Sequence, residues 1–310
     1  MRRFNVIFCG TPDFSVPTLD LLANNPHINL KAVISMPDRP AGRGQQLKSP
    51  PVAEYAITHK INLFQTENLN KDDEIKNFVE NEQIDFIVVL AFAQFLGSFY
   101  LNTPKYGCFN IHTSLLPKYR GAAPIQYALL NGDSETGVSI QRMVKQMDAG
   151  DIVHSFPMPI APTETGGQLY TRLKFQAALS MNIFINKLLD DQVTYTKQDE
   201  SLVSFAPTLK KDDGHLKFSE LGFSEVQNKI RGLYPWPGTY CFLNSKRLKV
   251  FEVEKFNKNL SPGEVDISLG VLLVGCKNAT IRIKTAQIAG KKMASDKDII
   301  NGLKGNLTLE

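Results

Sequence analysis

The chain opens on a mostly apolar run, Phe4-Asn5-Val6-Ile7-Phe8-Cys9, that stops at Gly10-Thr11-Pro12-Asp13, which predicts a strand followed by a tight turn. Leu19, Leu21 and Leu22 then fall in a predicted helix that ends at Asn24-Asn25-Pro26. Leu30–Ser35 reads as a second strand. Ser49-Pro50-Pro51-Val52-Ala53-Glu54 reads as a helix start, with serine as cap and proline in the first turn. Ile84–Leu90 is nearly all apolar, as in a parallel strand covered on both faces. Gly107–His112 predicts another short strand and Pro124–Leu130 a helix stopped by Asn131-Gly132. Gly137–Arg142 and Ile152–Pro159 suit paired strands, and Gln168–Leu189 a long closing helix.

Strands alternating with helices predict an α/β fold, a doubly wound and mostly parallel sheet with right-handed crossovers, over residues 1–190. Ligands of such sheets settle at the carboxyl ends of the strands. The pattern changes at Asp190-Asp191-Gln192, where a polar, strand-poor connection over 191–210 reads as a linker. Residues 211–310 then hold one helix, Ser224–Leu233, and short strand-like runs (Thr239–Leu243, Arg247–Val253, Gly270–Gly275, Ala279–Ile283) separated by turn residues. That spacing predicts a small C-terminal β-barrel of OB-like type.

Charge sharpens this division. Residues 1–206 carry 18 Lys/Arg against 20 Asp/Glu, a net of −2, and residues 207–310 carry 17 against 11, a net of +6. A basic terminal module suits a polyanionic partner, and an ordinary soluble basic surface fits the same count. The four cysteines lie far apart with no paired spacing, which argues against a disulfide framework or a zinc site, and the histidines offer no ligand spacing for any metal. The leading apolar run is too short for a signal peptide, and no segment reaches the roughly 18 unbroken apolar residues of a membrane span. A cytoplasmic protein is expected.

Three polar residues stand out against the apolar pattern. Asn110 and His112 sit two apart on a predicted strand, so both side chains face the same way, and Asp148 precedes Ala149-Gly150. An amide and an imidazole facing one centre suit acyl transfer, because both donate to a developing oxyanion and the imidazole also exchanges protons. A nearby carboxylate would orient the imidazole. By spacing alone, a lone histidine near a strand end is more often structural, and an aspartate before Ala-Gly is more often only a turn former.

The longer string is more informative. Phe109-Asn110-Ile111-His112-Thr113-Ser114-Leu115-Leu116-Pro117-Lys118-Tyr119-Arg120-Gly121-Ala122-Ala123-Pro124 closely resembles the signature of the formyltetrahydrofolate-dependent transferases and hydrolases, and Met147-Asp148-Ala149-Gly150-Asp151 resembles their second motif. The resemblance implies a catalytic trio of Asn110, His112 and Asp148, and a folate-contacting stretch of Ser114, Leu115, Leu116 and Pro117. It also implies 10-formyltetrahydrofolate as formyl donor, with no metal.

Further strings resemble the branch of the family that formylates methionyl-tRNA. These are Phe8-Cys9-Gly10-Thr11-Pro12-Asp13-Phe14, the basic loop Pro37-Asp38-Arg39-Pro40-Ala41-Gly42-Arg43-Gly44, Tyr234-Pro235-Trp236-Pro237-Gly238 and Ala289-Gly290-Lys291-Lys292-Met293. The first is not a dinucleotide fingerprint. By this resemblance the acceptor is initiator methionyl-tRNA, gripped by Arg43, Lys291 and Lys292, and the protein acts as a monomer. Gln45 and Gln46 stand where further basic residues are expected. The competing expectations are an amino-sugar or ribonucleotide formyltransferase, a formylfolate hydrolase, and a noncatalytic tRNA-binding relative.

Overall fold

The structure, a computed structural model, describes residues 2–42, 44–301 and 307–309. By internal contacts the chain divides into two units. One comprises Met1–Gly121, Thr136–Pro159 and Tyr170–Ala206, and the other Ala122–Glu135, Ile160–Leu169 and Pro207–Glu310.

Along the chain the elements are β1 (Phe4–Gly10), α1 (Val16–Asn24), β2 (Ile28–Ser35), β3 (Arg39–Ala41), β4 (Gln46–Lys48), α2 (Pro51–Thr58), β5 (Leu63–Gln65), α3 (Asp73–Asn81), β6 (Phe86–Leu90), α4 (Ser98–Asn102), β7 (Cys108–His112), β8 (Arg120–Gly121), α5 (Pro124–Leu130), β9 (Glu135–Arg142), β10 (Ile152–Pro159), α6 (Gly166–Leu189) and β11 (Phe205–Ala206). They continue with α7 (Phe223–Gly232), β12 (Thr239–Leu243), β13 (Lys246–Phe256), β14 (Val265–Asp266), β15 (Leu273–Gly275), β16 (Thr280–Ile288), β17 (Ala294–Ser295) and α8 (Asp296–Ile300).

The first unit is built on a seven-stranded sheet in the order β10-β9-β7-β6-β1-β2-β5. From β1 the chain winds outward in both directions, and the pairs β1–β2, β2–β5, β1–β6 and β6–β7 are all parallel. The pair β7–β9 is antiparallel, which leaves the sheet mostly parallel as expected. Successive side chains of β1 serve opposite faces, yet Val6, Ile7, Phe8 and Cys9 are all fully buried, so both faces of the sheet are covered. One face is packed by Ile7, Ile34, Ile87 and Val89 together with Ile75 and Val79 of α3. On α6, Phe184 packs against Phe109 with ring centroids 4.5 Å apart and against Phe86 at 6.3 Å. Burying such a ring contributes about 1.5–3 kcal/mol, which fixes the helix over the strand that carries Asn110 and His112.

Pro124–Leu130, Ile152–Pro159 and Thr239–Leu243 recur with the predicted ends, and the other predicted elements recur with ends moved by one to several residues. Ser49 does not act as the cap of α2. The N-cap is Pro50, with no side-chain cap hydrogen bond, and the helix is entered through the pre-set φ of Pro51 in its first turn. The polar 191–210 segment also contains a strand, β11, which pairs in parallel with β8. The loop that carries the predicted basic string forms the short β3–β4 hairpin, and Arg43 lies outside the described residues.

In the second unit the strands form one antiparallel sheet in the order β12-β13-β16-β15-β14, with β17 also on β16. This is the half-barrel form of the expected OB-like module. Along β13 the inward residues are Leu248, Val250 and then Val253, a spacing of two followed by three. The extra residue coincides with the register shift against β16 between Val250 and Val253. A bulge of this kind bends a strand and increases its twist, which curls a sheet over its own core. On α7, Glu225 reaches back to accept from the Gly222 N–H at 2.6 Å, satisfying one orphan donor of the first turn. All four cysteines are free and buried, and burial pushes the Cys108 thiol up to about 12.

Candidate active site at the carboxyl end of β7

The two strands that flank the site bring its polar groups together by register. Asn110 of β7 lies opposite Gln141 of β9, and His112 lies opposite Ser139. After β9 the chain turns through Asp148 and returns along β10. Asp148 adopts a left-handed φ of 51°, a conformation that aspartate tolerates better than most residues. Gly150 follows because a Cβ at this position would collide with the carbonyl oxygen of Arg142. The Asp-Ala-Gly string is therefore a steric requirement of the turn as well as a motif.

Asp148 is the meeting point of the trio. Its Oδ1 accepts from Asn110 Nδ2 at 3.3 Å and from Gln141 Nε2 at 2.9 Å. Its Oδ2 accepts from the Gly121 N–H at 2.9 Å and faces His112 Nδ1 at 3.7 Å, an ion-pair separation too long for a hydrogen bond. The other imidazole nitrogen, Nε2, lies 2.8 Å from the carbonyl oxygen of Tyr119. Both ring nitrogens thus face oxygen atoms, the Tyr119 carbonyl at hydrogen-bond distance and the Asp148 carboxylate beyond it. The His112 and Asp148 side chains are only 7% and 11% exposed, so water screens their interaction weakly.

The predicted folate-contacting stretch forms the turn directly after β7. The Ser114 hydroxyl donates to the Lys118 carbonyl at 2.6 Å, which closes the turn. Ser139 Oγ donates to the Ser114 carbonyl at 2.8 Å and accepts from the Leu116 N–H at 3.1 Å, tying the turn to β9. Leu116 is buried, Leu115 and Pro117 are half-buried, and the Leu116–Pro117 peptide is cis. A polar donor cluster beside a turn that exposes parts of two apolar side chains fits an amphipathic acyl carrier.

Lys291 and Lys292 are placed elsewhere, exposed in the connection between β16 and β17 of the second unit. Among the described residues no three His, Cys, Asp or Glu side chains converge as metal ligands, and no helix is long and apolar enough to cross a membrane.

Sequence reasoning missed four residues that support the trio: Gln141 and Gln198, which bond Asp148, Tyr119, which bonds His112, and Arg120, which bonds Gln198. Gln141 had a detectable signal, a polar residue inside the buried run of β9, where it is 1% exposed. Arg120 is buried at 2% and binds Gln198 and Glu200. Gln198 lies in the polar connection and carries no local signal.

A family model described as formyl transferase matches residues 2–185, and one described as formyl transferase, C-terminal domain, matches residues 208–304. The methionyl-tRNA formyltransferase of Geobacter metallireducens is 37% identical over 303 residues, covering 97% of this chain and 96% of that protein. That of Streptococcus sanguinis is 37% identical over 308 residues, covering 98% and 97%. Among solved structures, an N-formyltransferase from Helicobacter canadensis in complex with folinic acid and dTDP-3-aminofucose shares the fold with a TM-score of 0.67 at 19% identity, covering 93% of this chain and all of that one. HypX from Aquifex aeolicus in complex with tetrahydrofolic acid has a TM-score of 0.59 at 12% identity, covering 98% of this chain and 49% of that one.

Proposed function

The chain belongs to the formyl transferase family, and from that premise we propose that it transfers the formyl group of 10-formyltetrahydrofolate to the α-amino group of initiator methionyl-tRNA. The observation that carries this reading is the single carboxylate, Asp148, reached by Asn110 and facing His112 at the end of β7. The family's use of folate-derived formyl donors sets the chemistry, and the near-complete overlap with relatives named for methionyl-tRNA supports the acceptor.

In this reading the methionyl amine attacks the formyl carbon, and negative charge grows on the formyl oxygen. Asn110 has two amide hydrogens. One is spent on Asp148, which fixes the amide plane, and the second is left to donate to the formyl oxygen. The imidazolium of His112 stabilises the same charge. Asp148 holds His112 and accepts the proton that the amine loses as the new C–N bond forms. That proton leaves with the folate nitrogen as the old C–N bond breaks. Ser114, Leu115, Leu116 and Pro117 line the donor side through the turn after β7. The basic C-terminal module, residues 211–310 with Lys291 and Lys292, takes the tRNA, together with Arg43, and the protein works as a cytoplasmic monomer.

The test is formyl transfer from labelled donor to charged initiator tRNA, with free methionine and uncharged tRNA as controls. Label only on methionyl-tRNA supports the reading. Donor consumption without labelled tRNA would move the acceptor to an amino sugar or to water.

A further inference from the structure

We propose that Gln198, in the polar segment that joins the sheet unit to the C-terminal module in sequence, is a positioning residue that holds Asp148 in register with His112. The proposal rests on the reading of Asp148 as a catalytic group. Gln198 Nε2 donates to the backbone carbonyls of Asp148 and Gly150, each at 2.8 Å. These two carbonyls bracket the turn in which Asp148 takes its left-handed φ of 51°. A backbone in that region persists only where its surroundings over-determine it. One amide gripping both carbonyls does this, because it sets the direction in which the Asp148 side chain leaves the turn.

Gln198 is itself anchored. Its Oε1 accepts from Arg120 Nε at 3.0 Å and Nη2 at 2.8 Å, and Arg120 also donates to both carboxylate oxygens of Glu200, at 3.2 and 2.8 Å. The segment is stitched down on either side of Gln198. Thr196 and Ile152 exchange backbone hydrogen bonds of 2.9 and 2.8 Å, while Ser204 accepts from the Tyr119 and Arg120 N–H groups at 2.9 Å each. The next residue after Arg120, Gly121, donates to Asp148 Oδ2. Arg120 thereby links the Gln198 contact on the Asp148 backbone to the Gly121 contact on its carboxylate. Gln141 completes the frame by donating to Asp148 Oδ1 and accepting from the Gly150 N–H at 3.0 Å.

The experiment compares Gln198→Glu and Gln198→Met with the wild-type full-length protein in formyl transfer to methionyl-tRNA. Gln198→Glu keeps an acceptor for Arg120 but removes both N–H donors to the turn, and so separates loop positioning from the integrity of the segment. Displacing a reacting group by about 1 Å can cost on the order of a hundredfold. The expected result is a kcat lowered roughly ten- to a hundredfold in both variants, with KM for both substrates within about twofold and cooperative unfolding retained in Gln198→Glu.

The same substitution in an Asp148→Asn background is expected to cost less than about threefold further, because the two residues act through one group. The proposal is overturned by a wild-type kcat in folded Gln198→Glu, by a loss confined to KM, or by a full multiplicative loss in the Asp148→Asn background. Asp148→Asn alone separates the two levels. If that variant turns over normally, the reading of the site fails. If it is crippled while Gln198→Glu is not, only the role of Gln198 fails.

Discussion

Two carboxylates in this protein, one fully buried and one largely so, keep different company. Asp148, in the sheet unit, is held by the amides of Asn110 and Gln141 and one backbone N–H, and the titratable side chain that faces it is the imidazole of His112. Asp296, in the C-terminal unit, is held by Arg282 through Nε at 2.7 Å and Nη2 at 3.0 Å, and by the N–H groups of Leu272 and Lys297. Burial alone would raise the Asp296 carboxyl, but the Arg282 hydrogen bonds and the Leu272 N–H outweigh it and hold the group below its usual 3.8.

A guanidinium keeps its charge at any working pH, so the Arg282–Asp296 pair is a closed strut between β16 and α8. An imidazole can give up its proton, and neutral amides orient a carboxylate without cancelling its charge. The difference between a strut and a site therefore lies less in how deeply the carboxylate is buried than in whether its cationic partner can change state.

The largest expected effect that would break this contrast is on the imidazole. His112→Ala should lower single-turnover formyl transfer by about a hundred- to a thousandfold, or roughly 2.7–4 kcal/mol in the transition state, with thermal unfolding little changed. A near-normal rate in folded protein would make His112 another strut.

The opposite signature is expected of the strut. Arg282→Met strips the 1%-exposed Asp296 of its cation. It should cost roughly 2–3 kcal/mol in denaturant unfolding, less than the ~3–5 of a fully buried pair because Arg282 keeps some solvent. Activity per folded molecule should be retained. The depressed Asp296 carboxyl adds a pH test. Its contribution is complete above the unfolded carboxylate value and is lost as pH falls through the lower folded value, so the stability gap between the wild type and Arg282→Met should be widest near neutral pH and narrow as pH falls.

Smaller effects sharpen the division of labour between the units. Lys291→Ala with Lys292→Ala should leave single-turnover chemistry at saturating tRNA intact while raising KM for methionyl-tRNA. Each lost phosphate contact should flatten the log–log dependence of tRNA affinity on salt by about 1. Unchanged salt dependence would place the tRNA grip elsewhere.

The smallest effect concerns a histidine that is neither site nor strut. Burial, and then the charge of Lys187, hold the His154 imidazole below its ordinary 6.5, and its Nε2 has no hydrogen-bond partner. Its folded pKa is depressed, so the unfolded chain takes up the proton first, and stability declines as pH falls below the ordinary imidazole value. His154→Leu should reduce the difference in urea midpoint between about pH 8 and pH 5.5, and an undiminished difference would assign that acid sensitivity to other groups.

Much of this was legible along the chain. The period-two placement of Asn110 and His112 and the continuous apolar run before Leu90 depend on backbone geometry that repeats every residue, so local pattern reveals them. The Gly150 requirement is local too, because the backbone of Arg142 lies only eight positions away. The cap of α2 was misread because a serine before two prolines satisfies the compositional rule, while the bond it would make is absent from the structure.

The sequence by itself determined the alternation of strands and helices, the charge asymmetry between the two ends, and which residue types could carry acyl transfer. Tertiary structure alone decided that Asp148 meets Asn110 across 38 residues, and that Gln198 reaches back 50 residues to grip its carbonyl. It also decided that a buried arginine joins that grip to the turn after β7. The physical reason is that period, caps and turns are written in φ/ψ sterics between neighbours. A hydrogen bond between distant residues depends on where the whole chain path places two groups, and a solitary glutamine in a polar connection bears no mark of the partner it will find.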